Sequence, residues 1–429
     1  MGFRIPYMEN YRWHEGEGQK IKKIFFLAII TLVLIAWDGV AGASGTPKVL
    51  FVEPTPADGA SVADTSVEIH SSIKDAHLVN VKFNWNGTDY TLYDESLVLM
   101  FNFDNVVSLG EEYVAGGLVK DVSGAGNDGY LYSNPGVPQW IEDGKYGGAF
   151  DFTGNGKNSG QSILVYHSES LNPGSGDFAI VLWICTRDDY DGDVVRKGST
   201  NTTTTPRMWY KIEHSPSSDN NKISLNFNTD GTDATVNSSK AYNDNQWHFV
   251  IAQRKGNQAE LWIDGVKDRS AFITGNISNT ANLAIGSKDT QNDDFINSAL
   301  DEVRIYMRSL SEDQIKELYY SNLCKYDSVQ WNLYVNQSNL TNGIHMYQVS
   351  VSGTKRTNST EQRAVTVELQ CPYLGDANPL VNLVDFSILA YQWRQTGTGH
   401  ESDINQDGIE NIKDLAILVQ YWLSDCNQF

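Results

Sequence analysis

The chain has 429 residues, with 53 Asp and Glu against 32 Lys and Arg, a formal net charge of −21. At roughly 100 to 200 residues per domain the length predicts two to four domains, and the scarce, dispersed Lys and Arg exclude a basic surface for tracking nucleic-acid phosphates. Hydrophobic residues at 40% and aromatics at 11% supply packed cores and exclude a globally disordered chain.

At the N-terminus, Lys20, Lys22 and Lys23 precede an apolar run from Ile24 to Trp37, and Ala41-Gly42-Ala43 supplies the small-x-small pattern of a signal-peptidase site. Residues 1–43 are therefore expected to be a secretory signal cleaved after Ala43. The run is too short for a hydrocarbon core of ~30 Å, so the mature chain is expected to have no membrane span. Export permits disulfides. Cys185, Cys324, Cys371 and Cys426 allow three pairings; Cys371 and Cys426 bracket the last segment and are the expected pair. Sequons at Asn86, Asn201, Asn237, Asn276, Asn336, Asn339 and Asn358 would be open to glycosylation in a host that modifies exported proteins.

From Lys48 to Leu323 short alternating or apolar runs, such as Val81 to Trp85 and Phe178 to Ile184, are broken by Gly, Asn, Asp and Pro. That spacing predicts an all-β sandwich. The one clear helix in this stretch starts at a capping box, Ser311 with Gln314, ahead of Ile315, Leu318 and Tyr319. Residues 47–94 hold three candidate strands and residues 328–369 three more. Neither flank buries a two-sheet core alone. Joined, they reach the size and strand number of an immunoglobulin-like sandwich, split by whatever lies between them.

The stretch between carries ordered landmarks: Leu97 to Asp104, Asp121 to Gly129, Gly144 to Phe152, Asp177 to Trp183, Gln246 to Val250, Glu260 to Gly265 and Leu300 to Tyr306. Their order and spacing, with the helix after Ser311, resemble the laminin-G-like, concanavalin A-like jelly-roll family. The resemblance implies two face-to-face antiparallel sheets over residues 95–323. The expected fold class is thus mainly β: a concanavalin A-like jelly roll inserted in an immunoglobulin-like sandwich, followed by a small helical module.

That last module, residues 371–429, contains a repeat. Asn382 to Trp393 recurs as Asn411 to Trp422, and the apolar positions 386, 389, 390 and 393, and again 415, 418, 419 and 422, mark two amphipathic helices. Ahead of the second helix, Asp403, Asn405 and Asp407 stand at loop positions 1, 3 and 5. Gly408 makes the turn at 6, the Ile409 carbonyl serves position 7, and Asp414 stands at 12. Hard Ca²⁺ takes six to eight such oxygens, so the cofactor expected here is Ca²⁺. The first copy keeps Asp376, Asn378 and Asp385 but lacks the step carrying the fifth-position ligand and its glycine, which predicts a degraded site. The duplicated half-hand resembles a dockerin, which implies a cohesin-like partner; the alternative is a self-contained structural end module.

Catalysis finds little support. A retaining glucanase strand of this superfamily would read Glu-x-Asp-x-Glu, with alternate residues facing one cleft, but Asp301 is flanked by Ala299 and Val303. A carboxylate pair drawn from Asp188, Asp189, Asp191 and Asp193 competes with a solvated turn, and His248 reads as a framework residue. Asp104 and Asp301 are conceivable ligands of a second Ca²⁺ by family resemblance. Trp140, Tyr190, Trp209 and Tyr210 are aromatics able to stack on sugar rings. The expected function is an exported, non-catalytic protein that binds a glycan or a cell-surface protein; the alternative is a glycoside hydrolase or its accessory subunit.

Overall fold

A computed structural model describes residues 46–134, 136–157, 159–187, 192–198, 209–215, 221–288, 293–368, 381–397, 400, 402–404 and 408–422. Residues 1–45, Asp188, Asp189, Tyr190, Asp191, Asn201, Cys371, Asp376, Asn378, Asn405, Asp407 and Cys426 lie outside them. No helix among the described residues is long and apolar enough to cross a membrane.

The two flanks of the chain pair with each other. Lys48–Val52, Val67–Lys74, Gln330–Gln337 and Ser321–Lys325 form a four-stranded sheet in that order. Its central pairing runs from Lys74 opposite Gln330 to Val67 opposite Gln337. A six-stranded sheet is ordered Ala60–Val62, Arg363–Val367, Gly343–Gly353, Leu78–Trp85 and Thr88–Tyr93, with Thr357–Ser359 on the side of Gly343–Gly353. Val67, Ile69 and Ile73 alternate with solvated residues, as a strand with one buried face requires. Against them pack Val81, Phe83, Tyr347 and Val349 of the second sheet. The longest pairing in each sheet, Val67–Lys74 with Gln330–Gln337 and Leu78–Trp85 with Gly343–Gly353, joins a residue before 94 to one after 320, so neither flank completes a core by itself. Ser321–Lys325 belongs to this sandwich, although the sequence landmarks place it at the end of the jelly roll.

Between the flanks lie two eight-stranded sheets with a common core that includes Phe101, Phe150, Ile180, Leu182, Ile212, Leu225, Val250 and Ile305. One is ordered Val266–Phe272, Gln258–Ile263, Trp247–Lys255, Phe178–Thr186, Asp293–Tyr306, Ala149–Lys157 and Gln139–Ile141, with Leu97–Phe101 also on Asp293–Tyr306. We call it the closed sheet, because both faces of its central strand Phe178–Thr186 are covered. Phe178, Ile180, Leu182 and Ile184 enter the jelly-roll core, while Ala179, Val181 and Trp183 enter a second core shared with the flanking sandwich. The unbroken apolar run from Phe178 to Ile184 follows from that double burial. Helix α1, Glu312–Tyr319, adds Ile315 and Leu318 to the same seam. Its predicted capping box is present, with the Ser311 hydroxyl accepting from the Gln314 amide and the Gln314 side chain accepting from the Ser311 amide, both at 3.2 Å. Entry and exit of the jelly roll are clamped together where Arg308 Nε donates to Asp94 Oδ2 at 3.0 Å.

The other sheet, which we call the open sheet, is ordered Ala234–Asn237, Lys222–Asn228, Trp209–Ser215, Gly192–Lys197, Leu283–Ile285, Gly160–Val165, Gly129–Asn134 and Leu118–Val119. Its inward residues fill the jelly-roll core.

The C-terminal repeat forms helices α2, Leu383–Gln392, and α3, Ile412–Gln420, packed through Leu389, Leu418, Val381 and Tyr421. The predicted apolar stripes are only partly buried: Phe386 is 42% exposed and Val419 58%. Ile388 and Ile417, off the predicted stripes, pack on the core instead.

Candidate functional site

The outer face of the open sheet carries aromatic and charged side chains together. In Gly129–Asn134, Leu131 points into the core, so Tyr130 and Tyr132 point out by strand alternation; they are 37% and 39% exposed. Tyr130 lies opposite Leu164, and Tyr166, just past the end of that strand, sets its ring 5.6 Å from Tyr130 at 53°. Three tyrosines thus share one edge of the face.

Farther across the sheet, Tyr210 and Ile212 turn inward while Trp209, Lys211 and Glu213 turn outward. Arg196 lies opposite Lys211 and Asp193 opposite Glu213. Asp193 Oδ2 accepts from Arg196 Nη1 at 2.6 Å and Oδ1 from Lys211 Nζ at 3.0 Å. Lys211 also pairs with Glu213, whose Oε1 accepts from Asn226 Nδ2 at 2.8 Å. Thr235 Oγ1 extends the chain to Asn226 at 2.8 Å. Burial disfavours the Lys211 cation, but Asp193 and Glu213 outweigh it and raise its pKa. The Arg196 guanidinium lies over the Trp209 ring, 5.5 Å from its centroid.

Asp193 therefore bridges two cations within an ordered polar strip. Asp301 lies in a strand whose neighbours Ala299 and Val303 are buried, and is itself wholly buried. Its carboxyl is pushed well above the usual range by burial and then by the Glu302 charge. The loop Gly144–Gly148 holds Asp301 through the Tyr146 amide at 2.9 Å and Asp104 through the Gly148 amide at 3.1 Å. Gly147, at φ +67°, has no room for a side chain, since a Cβ would come 2.2 Å from Asp104 Oδ1. Among the described residues, no group of three or more His, Cys, Asp and Glu side chains is arranged to hold a metal.

The remaining sequence candidates separate cleanly. His248 Nδ1 meets Asp264 at 2.8 Å and Nε2 meets Asp244 at 3.1 Å. Burial opposes the charge on His248, but both aspartates raise its pKa, so it staples the Asp264 turn to the sheet. Trp140 donates to the Phe103 carbonyl at 2.8 Å, and the buried Tyr210 hydroxyl donates to the Leu171 carbonyl at 3.1 Å. These two aromatics are framework; Trp209 alone of the described candidates stands on the outer face. Cys185 and Cys324 are buried free thiols.

In the C-terminal loop, Asp403 Oδ2 accepts from the Gly408 amide at 2.9 Å, with Gly408 at φ +81°. Asp403 Oδ1 is sealed from solvent without a hydrogen-bond partner. Asp414 is wholly buried and accepts from the Asn411 amide at 2.8 Å, as Asp385 does from Asn382 at 2.8 Å. Both aspartates therefore close capping boxes at their helix starts. Ile409 lies in a β-bridge with Thr396. The loop spacing gave no role to Glu410, yet it is wholly buried, both its oxygens lack a hydrogen-bond partner, and Oε1 lies 3.9 Å from His400 Nδ1.

Residues 156–316 match the family model Laminin_G_3, described as the concanavalin A-like lectin/glucanases superfamily. The chain contains a concanavalin A-like domain. No curated protein matches the sequence. Solved structures similar to it include domain 4 of an extracellular arabinanase from Geobacillus stearothermophilus, solved with arabinotriose, at 17% identity and a TM-score of 0.39; the match covers 52% of this chain and 98% of that one. The sialidase of Trypanosoma rangeli is similar at 12% identity and a TM-score of 0.38, covering 53% of this chain and 33% of that one. The binding domain of botulinum neurotoxin DC, solved with SialylT, is similar at 12% identity and a TM-score of 0.38, covering 62% and 73%. The chain thus spans nearly all of the arabinanase domain and about a third of the sialidase.

Proposed function

We propose that the protein is an exported, non-catalytic carbohydrate-binding protein that holds a glycan on the outer face of the open sheet. The observation that carries this reading is the exposed edge formed by Tyr130, Tyr132 and Tyr166. Tyrosine rings offer a flat apolar surface to the C–H face of a sugar, while Lys211, Glu213 and Asn226, four and five strands away on the same sheet, offer donors and acceptors to a more extended glycan. The pairing of Asp193 with two cations counts against a hydrolase on this face, and Asp301, which belongs to the closed sheet, is wholly buried. Export rests on the basic, apolar and small-residue order of residues 20–43. The flanking sandwich, with its split pairing, is the immunoglobulin-like carrier of the jelly roll in this reading. The deciding experiment is a glycan array with the secreted chain, followed by titration of any hit and a reducing-sugar assay. Binding that Tyr130→Ala with Tyr132→Ala weakens at least tenfold, without sugar release, supports the proposal. Undiminished binding by that variant, or sugar release, overturns it.

The end module is read as a calcium-stabilised, dockerin-like unit. Asp403, Asn405, Asp407, the Ile409 carbonyl and Asp414 would hold Ca²⁺, and the orphaned Oδ1 of Asp403 fits a cation. Leu383, Tyr391, Ile412 and Val419, all well exposed on α2 and α3, suit a cohesin-like partner. A Cys371–Cys426 disulfide would close the module. Titration of the chelated chain should take up about one Ca²⁺ equivalent at this loop, and Asp403→Ala should abolish it; uptake unchanged in the variant rejects the assignment.

A further inference from the structure

Where the open sheet's strands Gly160–Val165 and Gly192–Lys197 end, a lysine is sealed inside the protein. Lys197 has no exposed surface. Its Nζ donates to the Asn279 backbone carbonyl at 2.8 Å and to the Asn279 side-chain oxygen Oδ1 at 3.1 Å. His167 Nδ1 is 3.4 Å from the same Nζ, and His167 Nε2 is 3.3 Å from Glu169 Oε1. The Glu169 carboxylate can only accept, so it holds the imidazole proton on Nε2 and turns the Nδ1 lone pair toward Lys197. On the other side, the Ala281 amide donates to Asn279 Oδ1 at 3.0 Å. Asn279 Nδ2 donates to the Ile277 carbonyl at 3.3 Å, which fixes the amide plane.

These are the parts of an acyl-transfer site arranged around an amide of the protein itself. An amine is the nucleophile, an imidazole the base, a carboxylate its orienter, and a backbone N–H lies where an oxyanion would form. Burial pushes the Lys197 ammonium down to about 8 against the opposing pull of Glu169. Roughly a tenth of the amine is then neutral, and so nucleophilic, at pH 7.

We propose that Lys197 and Asn279 become joined by an amide bond that the folded chain forms for itself. Neutral Lys197 Nζ attacks Asn279 Cγ, and the negative charge that develops on Oδ1 is met by the Ala281 N–H. His167 Nδ1 takes one proton from the attacking nitrogen and returns it to Nδ2. The Cγ–Nδ2 bond breaks, the carbonyl re-forms, and Nδ2 leaves as ammonia. A primary amide and an amine become a secondary amide and ammonia, with no oxidant, reductant or cofactor. The link would tie the strand Gly192–Lys197 to the segment that leads into Leu283–Ile285, its neighbour in the open sheet. It stands apart from the glycan reading and would hold whether or not that face binds sugar.

The test is peptide mass spectrometry of the full secreted chain, denatured and reduced before digestion with trypsin. The expected product is a branched pair of peptides containing Lys197 and Asn279, lighter than their sum by one ammonia, with no cleavage after Lys197. Lys197→Arg, which keeps the cation and its hydrogen bonds, should give only linear peptides of full mass, and so should Asn279→Ala. His167→Ala should leave the link unformed or form it many times more slowly. Linear, full-mass peptides from the unsubstituted chain overturn the proposal, and this result needs no variant to fold. A link that forms at the same rate in His167→Ala overturns the mechanism through His167.

Discussion

The two sheets of the jelly roll have eight strands each and share one core, yet they meet the solvent differently. On the closed sheet, Trp183 is 2% exposed. Its ring stacks on Tyr319 at 5.4 Å, lies 5.1 Å from Phe249, and has Lys145 Nζ 4.0 Å from a ring centroid. Outward positions of the open sheet carry Tyr130, Tyr132, Lys211, Glu213 and Asn226. The flanking sandwich and α1 use one outer face as an internal seam, whereas the opposite sheet keeps Tyr130 and Tyr132 more than a third exposed. What a face can bind is therefore set as much by what the chain packs on it as by its own residues.

The largest test of this contrast is Trp183→Ala. Removing a ring buried among aromatics should cost about 3–5 kcal/mol, read as a lower midpoint in urea unfolding of the full chain. A loss below ~1 kcal/mol would mean that the seam contributes little and that the closed face is closed in name only.

The next effect lies in the same seam. Glu317 of α1 accepts from Gln337 Nε2 with both carboxylate oxygens, at 3.1 and 3.0 Å, and burial pushes its pKa from 4.5 up to about 7. The unfolded chain releases this proton near 4.5 and the folded chain near 7. Between those values the folded state binds more protons, so its contribution is complete below pH 4.5 and is lost as pH rises to about 7. The shift corresponds to ~3 kcal/mol between pH 4 and pH 8. Glu317→Gln keeps a neutral hydrogen-bonding side chain and should remove that part of the pH dependence. If the variant loses stability between pH 5 and pH 8 as steeply as the parent, another group is responsible.

Local pattern made much of this legible. Runs broken by Gly and Asn gave the mainly β class, Ser311 with Gln314 marked a real helix start, and the four ordered landmarks from Asp177 to Tyr306 fell within the residues that match the concanavalin A-like family model. Direction was harder to read. Trp140 and Tyr210 were candidates for a sugar platform but pack inward, while Tyr130 and Tyr132 went unremarked. The alternation Tyr130-Leu131-Tyr132 shows that the two rings share a face. It does not say which face, because tyrosine suits a core as well as a surface. The double burial of Phe178–Ile184 had the same character: an apolar run signals burial, but the seam on its outer side depends on residues from both distant flanks. In the C-terminal loop, spacing singled out Asp403 and Asp414 but gave no sign of the buried Glu410, since position 8 supplies no ligand in the loop pattern.

The smallest effect on stability should come from the face assigned the function. Tyr130 and Tyr132 keep more than a third of their surface in water and point away from the core, so truncating either to Ala should cost less than ~1 kcal/mol. Affinity should move the other way. A ring stacked on a sugar contributes on the order of 1 kcal/mol, so each truncation should weaken glycan binding roughly fivefold, and both together more than tenfold. Urea midpoints and titration of the same samples read the two quantities side by side. Trp183→Ala should damage the fold, while Tyr130→Ala and Tyr132→Ala should damage binding in a protein that still unfolds near the parent midpoint. If the tyrosine variants instead unfold early and bind normally, the rings belong to the fold, and the open sheet is a second structural surface.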